Sequence, residues 1–348
     1  MLDVERWKCC VVHLEAAADS ADKDRREAAL RKASGWLLSG GYPSDDEYAE
    51  GSQGLRDVRF RGSAIFVEHK SRHYLITARH VLTDEESARR DLAAAPAYLP
   101  RAEESIENWI FPIIFRVPSL DEILAAAPEK TAETERPVSA APANVTGAHL
   151  ELSRNIWSGA AQRSSYTFSD PSLDLAVISL EHQYSFFREL WNKGYRPIYL
   201  DRNVEDCPSG EGAEVVAVGY PDSVSVLGQM PLNARSRMWA SAVVSLPVFS
   251  WGHVAMQHKE LPFFWADLTI YPGNSGGPVI ESQSNKLVGI VSCQATVEGA
   301  RVPFARVINA GIIRGLLESQ SRNDDQQALS NALTLPPHAR SVDRPTAG

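Results

Sequence analysis

From about residue 55 onward, apolar residues come in short runs, several of them alternating with polar ones. RFRGSAIFVEH, HYLITARHVL, LDLAVISL, GAEVVAVGYP, PFFWADLTI, KLVGIVSC and RVPFARVI are rich in Val, Ile, Phe and Tyr, with Gly, Pro, Asp or Ser between them. A period of two belongs to a strand with one face buried, and a short continuous apolar run belongs to a strand buried on both. The pattern predicts many short strands, and two small barrels suit their number better than one sandwich. Before residue 55 the texture differs. Residues 14–38 are rich in Ala, Glu, Arg, Lys and Leu and stop at Gly40-Gly41, with Pro43 beyond. That predicts a helix with Leu30, Ala33 and Leu37 on one face.

Two further segments break the strand pattern. Residues 117–147, VPSLDEILAAAPEKTAETERPVSAAPANVTG, have little to bury. They read as a flexible insertion with one short helix at 119–127. The chain after Leu317 is polar and then Pro-rich, which reads as a disordered tail. The expected division is therefore a helical extension over 1–50, a first barrel over 51–190 that includes the insertion, a second barrel over 191–317, and a tail over 318–348.

Composition narrows the function classes. The chain has 348 residues, enough for one large domain or two that share a core, and a formal net charge of −9. That charge speaks against a nucleic-acid partner. The cysteines, Cys9, Cys10, Cys207 and Cys293, offer neither a disulfide framework nor a CxxC pair. Cys9-Cys10 read as a packed or solvated helix end, and Cys293 as a small core residue. His69, His73, His253 and His258 have no companion acids at metal spacing, so no metal and no cofactor is expected. There is no basic stretch leading into a long apolar one near the N-terminus, and no run long enough to span a bilayer. The expectation is a cytoplasmic protein without a membrane partner.

The candidate chemistry starts at residues 271–280, YPGNSGGPVI. Ser275 sits among residues that cannot hold a helix, just before a strand. A serine hydroxyl needs a base to become a nucleophile. The oxyanion it creates needs preorganised donors, which backbone N–H groups supply best. The hole is therefore placed on Gly273, Asn274 and Ser275, with the amides of Gly273 and Ser275 as donors. Gly276 and Gly277 keep side chains off the attack path. For the base, His80 follows a strand-like run. For an orienting carboxylate, SDPSLDLAVISL offers Asp170 and Asp174. Asp174 opens a buried run, where an unpaired carboxylate is costly, so it is preferred. Asp267 reads as a loop-satisfying acid rather than a catalytic one.

TARHV, DLAVI and GNSGGPVI, in that order, resemble the chymotrypsin-fold serine peptidases, nearest the bacterial HtrA-type and glutamyl-endopeptidase-like branch. The likeness runs over roughly residues 55–315. It implies a mostly β fold of two six-stranded antiparallel barrels with the site between them. It also implies a triad of His80, Asp174 and Ser275, with Ser292 contacting the aspartate and the main chain of Ser292, Cys293 and Gln294 pairing with an extended peptide substrate. The pocket floor of such a fold falls at Thr269, where no acid sits, so trypsin-like selection for Arg or Lys is not implied. Thr269 with Gln294 suggests an uncharged side chain; Arg301 or Arg306 would instead favour an acidic one. Asn274 stands where zymogen-type relatives carry aspartate, and too few residues follow 317 for a PDZ domain. The implied partner is a protein or peptide substrate. A regulatory partner acting on the extension or the insertion fits a selective enzyme of bacterial stress or defence. The rival reading is a non-catalytic module that binds peptides in the same cleft.

Overall fold

A computed structural model describes residues 2–19, 56–82, 113–116, 147–150, 165–181, 183–221, 226–229 and 243–334. The chain opens with helix α1 (Val4–Cys10), capped by the Asp3 side chain on the Arg6 amide, and passes directly into strand β1 (Val11–Asp19). There follow β2 (Arg56–His69), β3 (Arg72–Ala78), the one-turn helix α2 (Arg79–Leu82), β4 (Ile113–Arg116), β5 (Gly147–Leu150), β6 (Tyr166–Phe168) and β7 (Leu175–Ser179). Helix α3 (Tyr184–Asn192), β8 (Ile198–Tyr199) and helix α4 (Leu200–Asn203) lead into the second half. That half holds β9 (Glu214–Gly219), β10 (Val226–Gln229), β11 (Val243–Ser245), β12 (Val248–Gln257), β13 (Phe263–Ala266), β14 (Pro278–Glu281), β15 (Lys286–Val297) and β16 (Ala300–Asn309). A long helix, α5 (Gly311–Thr334), ends it.

The architecture is mostly β and almost wholly antiparallel, as the patterning predicts. In the first half, eight strands form one sheet in the order β5-β4-β1-β2-β3-β7-β6, with β8 pairing in parallel with β2. In the second half, β12-β13-β16-β15-β14-β9 close into a six-stranded barrel, and β10 pairs with β11 apart from it.

The unbroken apolar runs have a simple cause. In β2, Ile65 and Val67 point into one hydrophobic cluster while Ala64 and Phe66 point into another. In β7 the same split puts Leu175 and Val177 on one side, Ala176 and Ile178 on the other. In β9, Val216 and Val218 face away from Val215 and Ala217, which join the barrel interior with Phe264, Val279 and Val307. Successive strand side chains alternate in direction, so a strand with core on both faces must be apolar throughout. The cluster shared by the two halves contains the wholly buried Trp7 from α1 and reaches Leu287, Ile308, Ile313 and Leu317. The Trp7 indole N–H also donates to Asn285 Oδ1 at 2.8 Å.

Two expectations are corrected. The helix expected over 14–38 begins as strand: β1 runs to Asp19 and pairs with both β2 and β4. Alanine and glutamate favour a helix only weakly, and ladders on two sides together with burial of Val11, Val12 and Leu14 outweigh that preference. The rest of that segment, and the insertion at 117–146, lie outside the described residues. The tail expected to be disordered from 318 is helical to Thr334. Its buried positions, Ile313, Leu317, Gln320 and Asp324, recur at helical spacing. Gln320 accepts from the Thr167 hydroxyl and Asp324 from the Ser179 hydroxyl, so α5 is tied to β6 and β7. Arg72 adds a bond to the Ser321 carbonyl and an ion pair with Asp325.

Candidate active site

β3 and β7 pair with Ala78 opposite Leu175, so the residues just beyond each strand end meet. On one side is His80 in α2, on the other Asp174. The His80 Nδ1 lies 2.9 Å from Asp174 Oδ2 and 3.1 Å from Oδ1, and the His80 amide donates to Oδ1 at 3.0 Å. The Arg79 amide donates to the Asp174 carbonyl at 3.0 Å. Asp174 holds a left-handed backbone, φ +51°, unusual for a residue with a Cβ though tolerated by aspartate. Such conformations persist where surrounding contacts enforce them, and here both strand ends do. Its carboxylate is mostly shielded, with a side-chain exposure of 16%, whereas His80 is 44% exposed and faces open space. Asp170, the rival carboxylate, is a turn former. It accepts from the Ser172 amide, and those Ser172 hydrogen bonds hold its pKa below the usual carboxylate value.

Ser275 enters from the other half, at the end of a turn made by Tyr271, Pro272, Gly273 and Asn274. The Asn274 amide donates to the Tyr271 carbonyl at 3.0 Å, and Gly273 has φ +100°. Proline fixes a negative φ at the second turn position, so a positive φ at the third makes this a type II turn. The Ser275 carbonyl accepts from the Ser63 amide, and the Gly276 amide donates to the Val291 carbonyl, both at 2.8 Å. Gly276, at φ +83°, has no room for a Cβ: one would lie 2.2 Å from the Ser63 carbonyl oxygen. Among the described residues the Gly273 and Ser275 amides donate to nothing, whereas the Asn274 amide is committed to Tyr271. The Asn274 N–H points back into the turn, which leaves the Gly273 and Ser275 amides as the two without a partner among the described residues.

Ser292 links the two halves of the site. Its hydroxyl donates to Asp174 Oδ2 at 2.7 Å, and its carbonyl accepts from the Ser275 hydroxyl at 3.2 Å. Among the described residues that carbonyl, not His80, is the hydrogen-bond partner of the Ser275 hydroxyl. Without substrate, catalytic hydrogen bonds are commonly long or misaligned and tighten in the Michaelis complex. The structure thus joins His80 to Asp174, Asp174 to Ser292 and Ser292 to Ser275.

The pocket residues separate. Thr269 is exposed between buried Leu268 and Ile270. Gln294 is half-buried and donates to the Val302 carbonyl at 3.0 Å, bracing β15 against β16. Cys293 is exposed, not in the core as expected, because the ladder irregularity after Val291 sets it opposite Arg306 at the surface. Arg306 is engaged: its guanidinium donates to the Ser172 carbonyl at 2.7 Å and stacks over Phe263 at 4.5 Å. Sequence reasoning passed over this tie, Arg79 under the Asp174 loop, and Ser63 beneath the nucleophile turn. No local motif marks them, since each acts on backbone distant in sequence.

The model of the trypsin-like peptidase domain matches residues 62–290, from the glycine before Ser63 into β15. The chain belongs to that family. No curated protein sequence matches the chain. Among solved structures, an HtrA-type protease, AlgW with a tripeptide, aligns at 13% identity and a TM-score of 0.43. The alignment covers 91% of this chain and spans 61% of that protein.

Proposed function

We propose that the chain is a serine endopeptidase in which His80, Asp174 and Ser275 act as a triad. The carrying observation is the Asp174 carboxylate, which holds His80 Nδ1 on one side and the Ser292 hydroxyl on the other, while Ser292 receives the nucleophile. With Nδ1 donating to the carboxylate, Nε2 is left as the basic nitrogen. It takes the Ser275 proton as the hydroxyl attacks the scissile carbonyl, and returns it to the leaving amine. The acyl-enzyme is then hydrolysed by water activated in the same way. The amides of Gly273 and Ser275 receive the oxyanion, since nothing else among the described residues uses them. An extended substrate pairs with the backbone of β15 around Ser292–Gln294. With Arg306 committed to Ser172 and Phe263, the pocket favours a small or medium uncharged side chain over an acidic one.

The rival reading, a peptide-binding module without turnover, predicts a cleft that binds but does not label. Wild type is expected to cleave denatured protein and to be labelled at Ser275 by a fluorophosphonate. Ser275→Ala should lose both, with kcat down by on the order of 10⁴- to 10⁶-fold. A Ser275→Ala protein that still cleaves would refute the assignment.

A further inference from the structure

Ser63 is completely buried on β2, opposite His13 of β1, and makes three bonds to backbone of the second half. Its amide donates to the Ser275 carbonyl at 2.8 Å. Its hydroxyl donates to the Gly273 carbonyl at 2.8 Å and accepts from the Tyr220 amide at 3.0 Å. Its own carbonyl accepts from the Thr77 hydroxyl at 2.7 Å.

The pattern of gripped peptides is informative. The Gly273–Asn274 peptide is held at both ends, by the Ser63 hydroxyl on its oxygen and by Tyr271 on its N–H. The Ser275–Gly276 peptide is held at both ends too, by the Ser63 amide and the Val291 carbonyl. These two alternate along the chain with the peptides that carry the Gly273 and Ser275 amides. A peptide plane shares a Cα with each neighbour, so fixing alternate planes narrows the rotation left to the N–H groups between them. The Asn274 carbonyl is also taken, by the Gly277 amide at 2.9 Å. The Pro272–Gly273 peptide alone in this stretch has no bond at either end among the described residues, so its orientation depends on the plane that the Ser63 hydroxyl holds.

We infer that the Ser63 hydroxyl is a positioning group for the oxyanion turn, aiming the Gly273 amide from beneath. It touches no substrate and no reacting atom. The inference rests on the peptidase reading above and adds to it a group on β2 that no catalytic motif contains. Removing the hydroxyl leaves the buried Gly273 carbonyl and Tyr220 amide without their partner and frees the plane between them. The amide bond to Ser275 survives the change. The loss should therefore fall on stabilisation of the oxyanion and not on substrate binding.

The test compares Ser63→Ala with wild type on one peptide substrate and one peptide aldehyde. Ser63→Ala should lose kcat by roughly 10- to 100-fold, less than the loss of an oxyanion donor itself, with KM within about twofold. The aldehyde should lose affinity by the same factor as kcat/KM. Ser63→Cys, which keeps the shape and a weak donor, should fall between and guards against misfolding of the alanine variant. Ser179→Ala removes another buried hydroxyl that also accepts an amide and donates onward, but far from the site; it should lower Tm without moving kcat. Equal kcat and equal aldehyde affinity in wild type and Ser63→Ala would overturn the inference, as would a loss confined to KM. Crystal structures of both proteins read the turn independently of turnover. If wild type neither cleaves nor labels, the peptidase reading fails, and an unchanged Tyr271–Asn274 turn in Ser63→Ala then sinks the Ser63 assignment on its own terms.

Discussion

In the first sheet the functional contact is made by side chains and needs a single strand register; in the second barrel it is made by backbone and needs a loop locked plane by plane. Pairing Ala78 with Leu175 suffices to bring His80 and Asp174 together. Aiming the Gly273 and Ser275 amides takes a proline, two glycines at positive φ, and bonds to Tyr271, Val291, Gly277 and Ser63. The closed barrel suits the second task because a strand with neighbours on both sides leaves little freedom where it begins. A side-chain pair tolerates adjustment through rotamers, whereas a backbone hole does not. The half that carries Ser275 should accordingly be the less forgiving of small backbone changes.

Substitutions can break or sharpen this contrast. The largest effect is expected from Asp174→Asn, which keeps the shape but removes the charge that orients His80. Peptide turnover should fall by about 10⁴-fold with little change in Tm; a fall under tenfold would dissociate His80 from its carboxylate. Trp7→Ala empties a buried site between the halves and should cost about 3–5 kcal/mol of stability by urea unfolding. Loss of one half before the other in that experiment would show the halves to be less interdependent than their shared core implies. Gly273→Ala adds one methyl where φ is +100°. It should lower kcat by roughly 10²- to 10³-fold while lowering Tm by only a few degrees. An equal penalty from Ala substitution at the half-buried His73 of β3 would erase the asymmetry between the halves.

The smallest effect concerns pH. Burial is the main cause holding His69 and His73 below the usual imidazole pKa, with Lys70 adding to it at His69. Neither His69 ring nitrogen has a hydrogen-bond partner among the described residues. Above the ordinary value of about 6.5 both states are neutral and nothing changes. Below it the unfolded chain takes the proton first, so stability falls as pH drops. Wild-type Tm should decline between about pH 7 and pH 5, and a His69→Phe/His73→Phe variant should decline less. Parallel curves would assign the acid sensitivity elsewhere.

Legibility followed the same division. The turn at Ser275 could be read because backbone constraints leave a mark in letters: Pro272, Gly273, Gly276 and Gly277 are each needed for their geometry. His80 and Asp174 could be read because each borders an apolar run. β1 could not, since its alanines carry no strand signal and only pairing with β2 and β4 holds them extended. The helix α5 was hidden by its own interior, where Gln320 and Asp324 occupy buried positions that an apolar pattern would have announced. Their partners, Thr167 and Ser179, are more than a hundred residues away. Arg306 stands beside Arg301 as a candidate for an acidic substrate side chain because nothing near it in sequence predicts the Ser172 carbonyl.

The place of Trp7 has a consequence for synthesis. A ribosome delivers this indole well before Leu287, Ile308, Ile313 and Leu317, which wall its cluster. Until then the tryptophan has no complete site, and the nascent chain must carry an exposed aromatic over the whole interval between them. The first sheet therefore cannot finish packing as an independent vectorial unit. Final consolidation waits for α5, and Ser275 cannot approach His80 until the second half has left the exit tunnel.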